Sequence, residues 1–192
     1  MKRLLFFCGL FLPFFLSAQH FEVGVLAGGS TYDGDLMPTK ITALVKEAHF
    51  AGAGFVRYNV NDFVAARINL AYAKISGDDE NIDTAIRERN LNFESTILEG
   101  GLIAEFNILG YQPYALQRVF SPYIFAGIVG YRFNPRTEFG GEMVDLQPLG
   151  TEGQGLEAYP DRDFYKLIQH AVPLGGGVKI ALTDALNIGL EF

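Results

Sequence analysis

Residues 50–74 read FAGAGFVRYNVNDFVAARINLAYAK. After the central turn, Val64, Ala66, Ile68, Leu70 and Tyr72 alternate with Ala65, Arg67, Asn69, Ala71 and Ala73, and only an extended strand gathers a period of two onto one face. Before the turn, Phe50, Gly52, Gly54, Val56, Tyr58 and Val60 share one parity while Arg57 and Asn59 take the other. The stretch reads as a long hairpin with one apolar side and one sparse, polar side. Cross-strand partners in an antiparallel pair point to the same face, so paired positions must sum to an even number and the tight loop must hold an odd number of residues. Loops of Asn61-Asp62-Phe63 or Val60-Asn61-Asp62 both satisfy this rule. With the first, Arg57 and Arg67 stand opposite each other and require carboxylates close by.

Alternation recurs in residues 21–30, 92–107, 122–134, 172–182 and 186–192, which makes seven strands. Long acidic connections (31–47, 76–90, 135–163) alternate with shorter ones (61–62, 109–121, 183–185), the asymmetry of outer-membrane barrels. Bacterial single-chain barrels close with an even strand count. The expected architecture is therefore all-β, a transmembrane antiparallel up-and-down β-barrel of eight strands, with a final loop and strand missing from this chain. The alternative is that Phe192 is the natural end, since outer-membrane proteins often finish on an aromatic residue.

The N-terminus fits that location. Lys2 and Arg3 precede thirteen uncharged residues (4–16), and Leu16-Ser17-Ala18 follows the pattern of a signal-peptidase site. Thirteen helical residues rise only about 20 Å, short of the roughly 30 Å of a bilayer core. Cleavage after Ala18 leaves residues 19–192 as the barrel domain. It removes the single cysteine, Cys8, and takes the formal net charge from −7 to −9. A cysteine-free secreted chain excludes a disulfide framework and a thiolate metal site, and its acidic balance argues against a nucleic-acid partner.

Assigning the polar parity of each strand to the lumen collects Glu22, Arg57, Arg67, Glu99, Glu105, Arg132, Lys179 and Glu191. In this assignment Arg132 opposes the parity of Tyr123, Phe125, Val129, Tyr131 and Phe133. An eight-stranded lumen is filled by side chains, so these charges are expected to form a paired plug. Catalytic, cofactor and metal signals are weak. His20, His49 and His170 fall at strand ends, Gly175-Gly176-Gly177-Val178-Lys179 lacks Walker spacing, and neither Asp78-Asp79-Glu80 nor Asp33-Gly34-Asp35 follows EF-hand spacing. No catalytic residue, cofactor or metal is assigned.

The loops carry a resemblance. Tyr32-Asp33-Gly34-Asp35-Leu36 resembles the Tyr-x-Gly-Asp-Leu that follows the first strand in the PorG-like outer-membrane β-barrel family of the type IX secretion system. Arg89-Asn90-Leu91-Asn92-Phe93, Glu105-Phe106-Asn107 and Pro148-Leu149-Gly150-Thr151-Glu152-Gly153-Gln154-Gly155 are similar to further signatures of that family, in its order. So is Pro173-Leu174-Gly175-Gly176-Gly177-Val178-Lys179, with Leu174 where an aromatic is common. The family pattern continues beyond the equivalent of Glu191-Phe192 into an aspartate-rich segment.

The resemblance implies a non-enzymatic barrel in the outer membrane, an anchoring piece of a protein-secretion machine that contacts outer-membrane lipid and periplasmic ring components. Tyr32, Asp33, Asp35, Arg89, Thr151, Glu152 and Gln154 are the candidate loop surface. If the short turns are periplasmic, ring docking falls to Asn61, Asp62, Tyr111, Gln112, Arg118 and Asp184. The alternative is a binding or adhesion barrel whose 135–163 loop contacts an extracellular ligand.

Overall fold

A computed structural model describes residues 20–32, 48–79, 91–112, 119–151 and 153–192. The signal segment and most of the 31–47 and 76–90 connections lie outside the described residues. The strands are β1 (Phe21–Ser30), β2 (His49–Asn59), β3 (Val64–Asp78), β4 (Asn92–Asn107), β5 (Phe120–Phe139), β6 (Glu142–Asp145), β7 (Ile168–Ala171), β8 (Leu174–Ala181) and β9 (Asn187–Glu191). They form one antiparallel, up-and-down sheet in the order β1-β2-β3-β4-β5-β8-β9, with β6 and β7 also paired to β5. The sheet curls into a half-barrel.

β7 and β8 are one wall strand with an interruption. Both meet β5 at the same offset, Arg132 opposite Ile168 and Phe120 opposite Ile180. Between them Pro173 has no N–H to give the ladder, yet its carbonyl still accepts from Gly127 N–H at 3.1 Å. The wall thus has seven strands among the described residues. β5 runs five residues beyond the expected end at 134 and folds back through Gly140 and Gly141 into β6, because both glycines adopt positive φ.

The hairpin uses the Asn61-Asp62-Phe63 loop: Val60 N–H donates to Val64 O at 2.9 Å, and Arg57 pairs with Arg67. The Asn61 side-chain oxygen accepts from the backbone N–H groups of Phe63 and Val64, both at 2.9 Å, which closes the turn.

Burial is inverted relative to a water-soluble sandwich. Among the described residues, Arg57, Asn59, Arg67, Asn69, Glu105, Asn107 and Lys179 are buried on the concave face, while Val25, Leu70 and Ile128 are 86%, 70% and 70% exposed on the convex one. The convex apolar layer is in register across neighbours: Ile68 faces Leu102, which faces Ile128. On β3 and β4 it runs from Val64 and Phe106 to Tyr72 and Leu98, eight residue steps, or about 27 Å along the strand. At the usual barrel tilt that is about 20 Å of height, near the roughly 25 Å band of outer-membrane barrels. Exposed Phe21, Tyr58, Phe63, Phe106 and Phe120 ring the short-turn end, with Phe21 on Tyr58 at 4.9 Å.

β4 and β5 approach closely on the concave side because Gly101 and Gly127 present no side chain there. A Cβ at Gly101 would meet Ile128 O at 2.6 Å and Val129 Cα at 2.8 Å, and one at Gly127 would strike Leu102 O and Ile103. Replacing Gly127 with Val should therefore cost about 1–3 kcal/mol through overpacking. Urea titration in detergent, followed by the shift between folded and heat-denatured gel mobility, measures it; an unchanged midpoint would show that the β4–β5 spacing is not as described.

Candidate functional site

The concave face is organised by Glu105, which β4 places beside Ala65 of β3 and Phe125 of β5. Its side chain is fully buried. Lys179 Nζ donates to Oε2 at 2.6 Å and Arg57 Nη2 donates to Oε1 at 3.1 Å. Arg57 Nε (2.8 Å) and Arg67 Nε (3.1 Å) also approach the carboxylate, but off the N–H axis, so these two contacts are ionic rather than hydrogen-bonded. Three cations thus converge on one carboxylate.

Two further carboxylates complete the balance. Glu191 on β9 accepts a bidentate pair from Arg67 at 2.6 and 2.9 Å and the Tyr123 hydroxyl at 2.7 Å. Glu22 on β1 accepts from Arg57 at 3.2 Å, Asn59 at 2.6 Å, and Tyr111 and Asn187 at 3.4 Å each. Phe55 lies beneath both guanidinium groups, 4.8 Å from Arg57 and 5.4 Å from Arg67, and Lys179 Nζ stands 4.5 Å from the centre of the Tyr123 ring. Three carboxylates and three cations cancel, so the cluster is neutral and largely hydrogen-bonded, the condition under which buried charge is tolerated. Chemically it is a brace. A cavity of about 540 Å³ opens onto it between the edge strands β1 and β9, lined by Glu22, Arg57, Arg67, Lys179 and Glu191 together with Gly24 and Gly189.

Six of the eight residues expected in the lumen meet in this network: Glu22, Arg57, Arg67, Glu105, Lys179 and Glu191. Glu99 is on the concave face, opposite Ala71 and Tyr131, but stands nearer the long loops and outside the cluster. Arg132 is a correction. It projects from the convex face, in register with Leu98 and Ile168, because β5 turns its aromatic parity inward. Tyr123 and Val129 are buried, and Phe125, Tyr131 and Phe133 lie on the same side. Their space is made by glycines on β8: Gly177 opposes Tyr123 and Gly175 opposes Phe125. The glycines of 175–177 were a usable signal, as were Asn59, Asn107 and Asn187, which supply hydrogen bonds that the charged residues alone lack.

The turn candidates divide in the same way. Asn61 and Asp184 are exposed. Tyr111, expected at a docking surface, is instead 1% exposed and caps the lumen. Its N–H donates to Asp62 O at 2.6 Å, and burial beside Glu22 pushes its phenol above the ordinary range, keeping it a donor. Gln112 bonds Asp62 at 2.9 Å, which ties the two short turns together. Arg118 lies outside the described residues.

At the long-loop end, Tyr32 packs edge-on against Phe93 at 4.9 Å, and Thr151 is exposed. Gln154 is buried rather than presented, since Gly150, Gly153 and Gly155 at positive φ wind the chain around it beneath Phe164 and Tyr159. Asp33, Asp35, Arg89 and Glu152 lie outside the described residues. The histidines are dispersed: His20 bonds the carbonyl of Asn59, His49 bonds Ser76, and His170 is exposed on β7.

The family model described as domain of unknown function DUF6089 matches residues 1–143, and the chain belongs to that family. No curated protein and no solved structure matches the chain.

Removing the Glu105 charge leaves three buried cations with two carboxylates, and Lys179 with none. Glu105→Gln should therefore cost about 3–5 kcal/mol, read as a lowered urea midpoint of the folded, heat-modifiable form. A double variant, Glu105→Gln with Lys179→Met, should recover part of that loss. A midpoint unmoved by the single change would mean that the brace does not hold the sheet.

Proposed function

We propose that this DUF6089-family chain is a non-enzymatic outer-membrane β-barrel that serves as an anchoring component of a protein-secretion machinery of the PorG-like, type IX kind. The observation that carries the membrane part is the inverted burial: a neutral ionic cluster on the concave face beneath an exposed convex face that is apolar over its middle span apart from His170. Contiguous apolar patches larger than a few hundred Å² rarely face water, whereas lipid covers such a band on a barrel. The leader-like N-terminus and the alternation of long and short connections agree with this location. The secretion role rests on the loop motifs that resemble the PorG-like family.

A plugged lumen assigns no transport path to this chain's own interior. Work as an anchor then falls to the rims. The exposed turn residues Asn61 and Asp184 are the docking candidates on the short-turn side. A binding or adhesion barrel is the second reading, favoured by the built character of residues 146–165. There the chain is pinned by Gln147 Nε2 to Tyr165 O at 3.2 Å and by Arg162 over Tyr159 at 4.6 Å, and it leaves Leu149, Leu156 and Tyr159 exposed.

Affinity capture of the tagged full-length protein from detergent-solubilised membranes should recover periplasmic ring proteins. Recovery that persists without residues 146–165 but is lost with Asn61→Ala/Asp184→Ala favours anchoring through the turns. Absence of any ring partner contradicts the secretion role. In planar bilayers the reconstituted protein should pass no steady ionic current, and stable open-channel steps would contradict the plug.

A further inference from the structure

Arg132 is the residue that the lumen did not absorb, and its surroundings are unusual. The convex face changes from apolar to polar along one register line: Tyr72, Leu98 and Arg132 share a level, and Lys74, Thr96 and Asn134 form the next, toward the long loops. Arg132 therefore stands in the last apolar layer, its stem flanked by Leu98 and Ile168, both exposed. The neighbouring charges are already matched, Lys74 with Glu94 at 2.7 Å and Arg136 with Asp145. Among the described residues Arg132 has no ion pair or hydrogen bond, and none of them compensates its charge at the edge of the apolar band. A cleft of about 250 Å³ opens beside it, bordered by Glu94, Thr96, Leu98, Asn134 and Arg136, with the Glu94 carboxylate held by Lys74.

We propose that Arg132 and this cleft hold the phosphate of a phosphorylated membrane-lipid headgroup, with the lipid's acyl chains lying along Leu98, Leu102 and Ile128. The site rests on the reading of this chain as a lipid-embedded barrel. Guanidinium geometry suits a phosphate through paired N–H donors. Thr96 stands on the adjoining level and supplies a neutral donor, while Asn134 beside it gives its side-chain N–H to Asp145 at 3.1 Å. Below Arg132 the level of Gly100 and Gly130 carries the exposed His170 imidazole on its β7 side, and Leu98, Leu102 and Ile128 give the acyl chains an apolar surface on the β4 side, a feature that a site for free phosphate does not need. On the long-loop side of the barrel, the lipid belongs to the outward leaflet.

The test uses the full chain in dodecyl maltoside, a phosphate-free detergent, with lipid retention read by native mass spectrometry. Phosphatidic acid, diacylglycerol with the same chains, and inorganic phosphate are the probes. Wild type should retain phosphatidic acid with roughly tenfold higher affinity than Arg132→Gln, the scale of one charge-assisted contact. Arg132→Lys should fall between them, and diacylglycerol should bind both equally and weakly. Equal retention of phosphatidic acid by wild type and Arg132→Gln overturns the site, as does displacement by inorganic phosphate at concentrations equimolar with the lipid. Heat-modifiable migration of the same samples reads the barrel separately. Its absence in wild type contradicts the barrel itself, whereas its presence with unchanged retention contradicts only the lipid site.

Discussion

Arg57 and Arg67 are cross-strand partners, and this arrangement would be repulsive without Glu105. The conflict is created by the three-residue turn, since that loop alone fixes which side chains meet. Glu105 resolves it from β4, Lys179 joins from β8, and the remaining valence of each arginine is taken by Glu22 and Glu191 from the two edge strands. Tyr123 adds β5. Every wall strand therefore contributes to one cluster, and a slip of one residue in any of them would turn its contribution to the convex side. The cluster specifies register, which an apolar interior of interchangeable side chains would define less sharply.

The same alternation that gathers charge on one face leaves the other without any charge over its middle span. Concave polarity and convex apolarity are one sequence property seen from two sides. The concave side of the half-barrel is braced by side chains across its interior, with the cavity between β1 and β9 alongside. The rims differ: compact, hydrogen-bonded turns at one end, and at the other the β5–β6 hairpin with the Gly-rich segment wound around Gln154.

Much of the wall was legible in the sequence because β1, β2, β3, β4 and β9 each carry charge or Asn on one parity and Val, Ile, Leu or Phe on the other. β5 was not, because neither of its parities is polar over residues 123–131. One is aromatic and the other is Ile, Ala and Gly, so the single Arg132 decided the assignment and decided it wrongly. Volume settles it instead. A narrow interior must be filled, and the large rings turn inward where Gly175 and Gly177 leave space. Tyr111 and Gln154 were misread for a related reason, since polar side chains in connections suggest a surface until the backbone is seen to fold them inward. The β7–β8 interruption followed from Pro173, which removes a ladder donor without ending the strand.

The central claim is that one face of this sheet meets lipid and the other holds a closed ionic network. Residues 19–192 contain no cysteine, so single cysteines placed in turn at residues 65, 66, 68, 69, 70 and 71 of that segment can each carry an environment-sensitive fluorophore, in vesicles containing a lipid-borne quencher. Quenching should alternate with a period of two, strong at positions 66, 68 and 70 and weak at 65, 69 and 71. Uniform quenching, none at all, or alternation in the opposite phase would contradict the account.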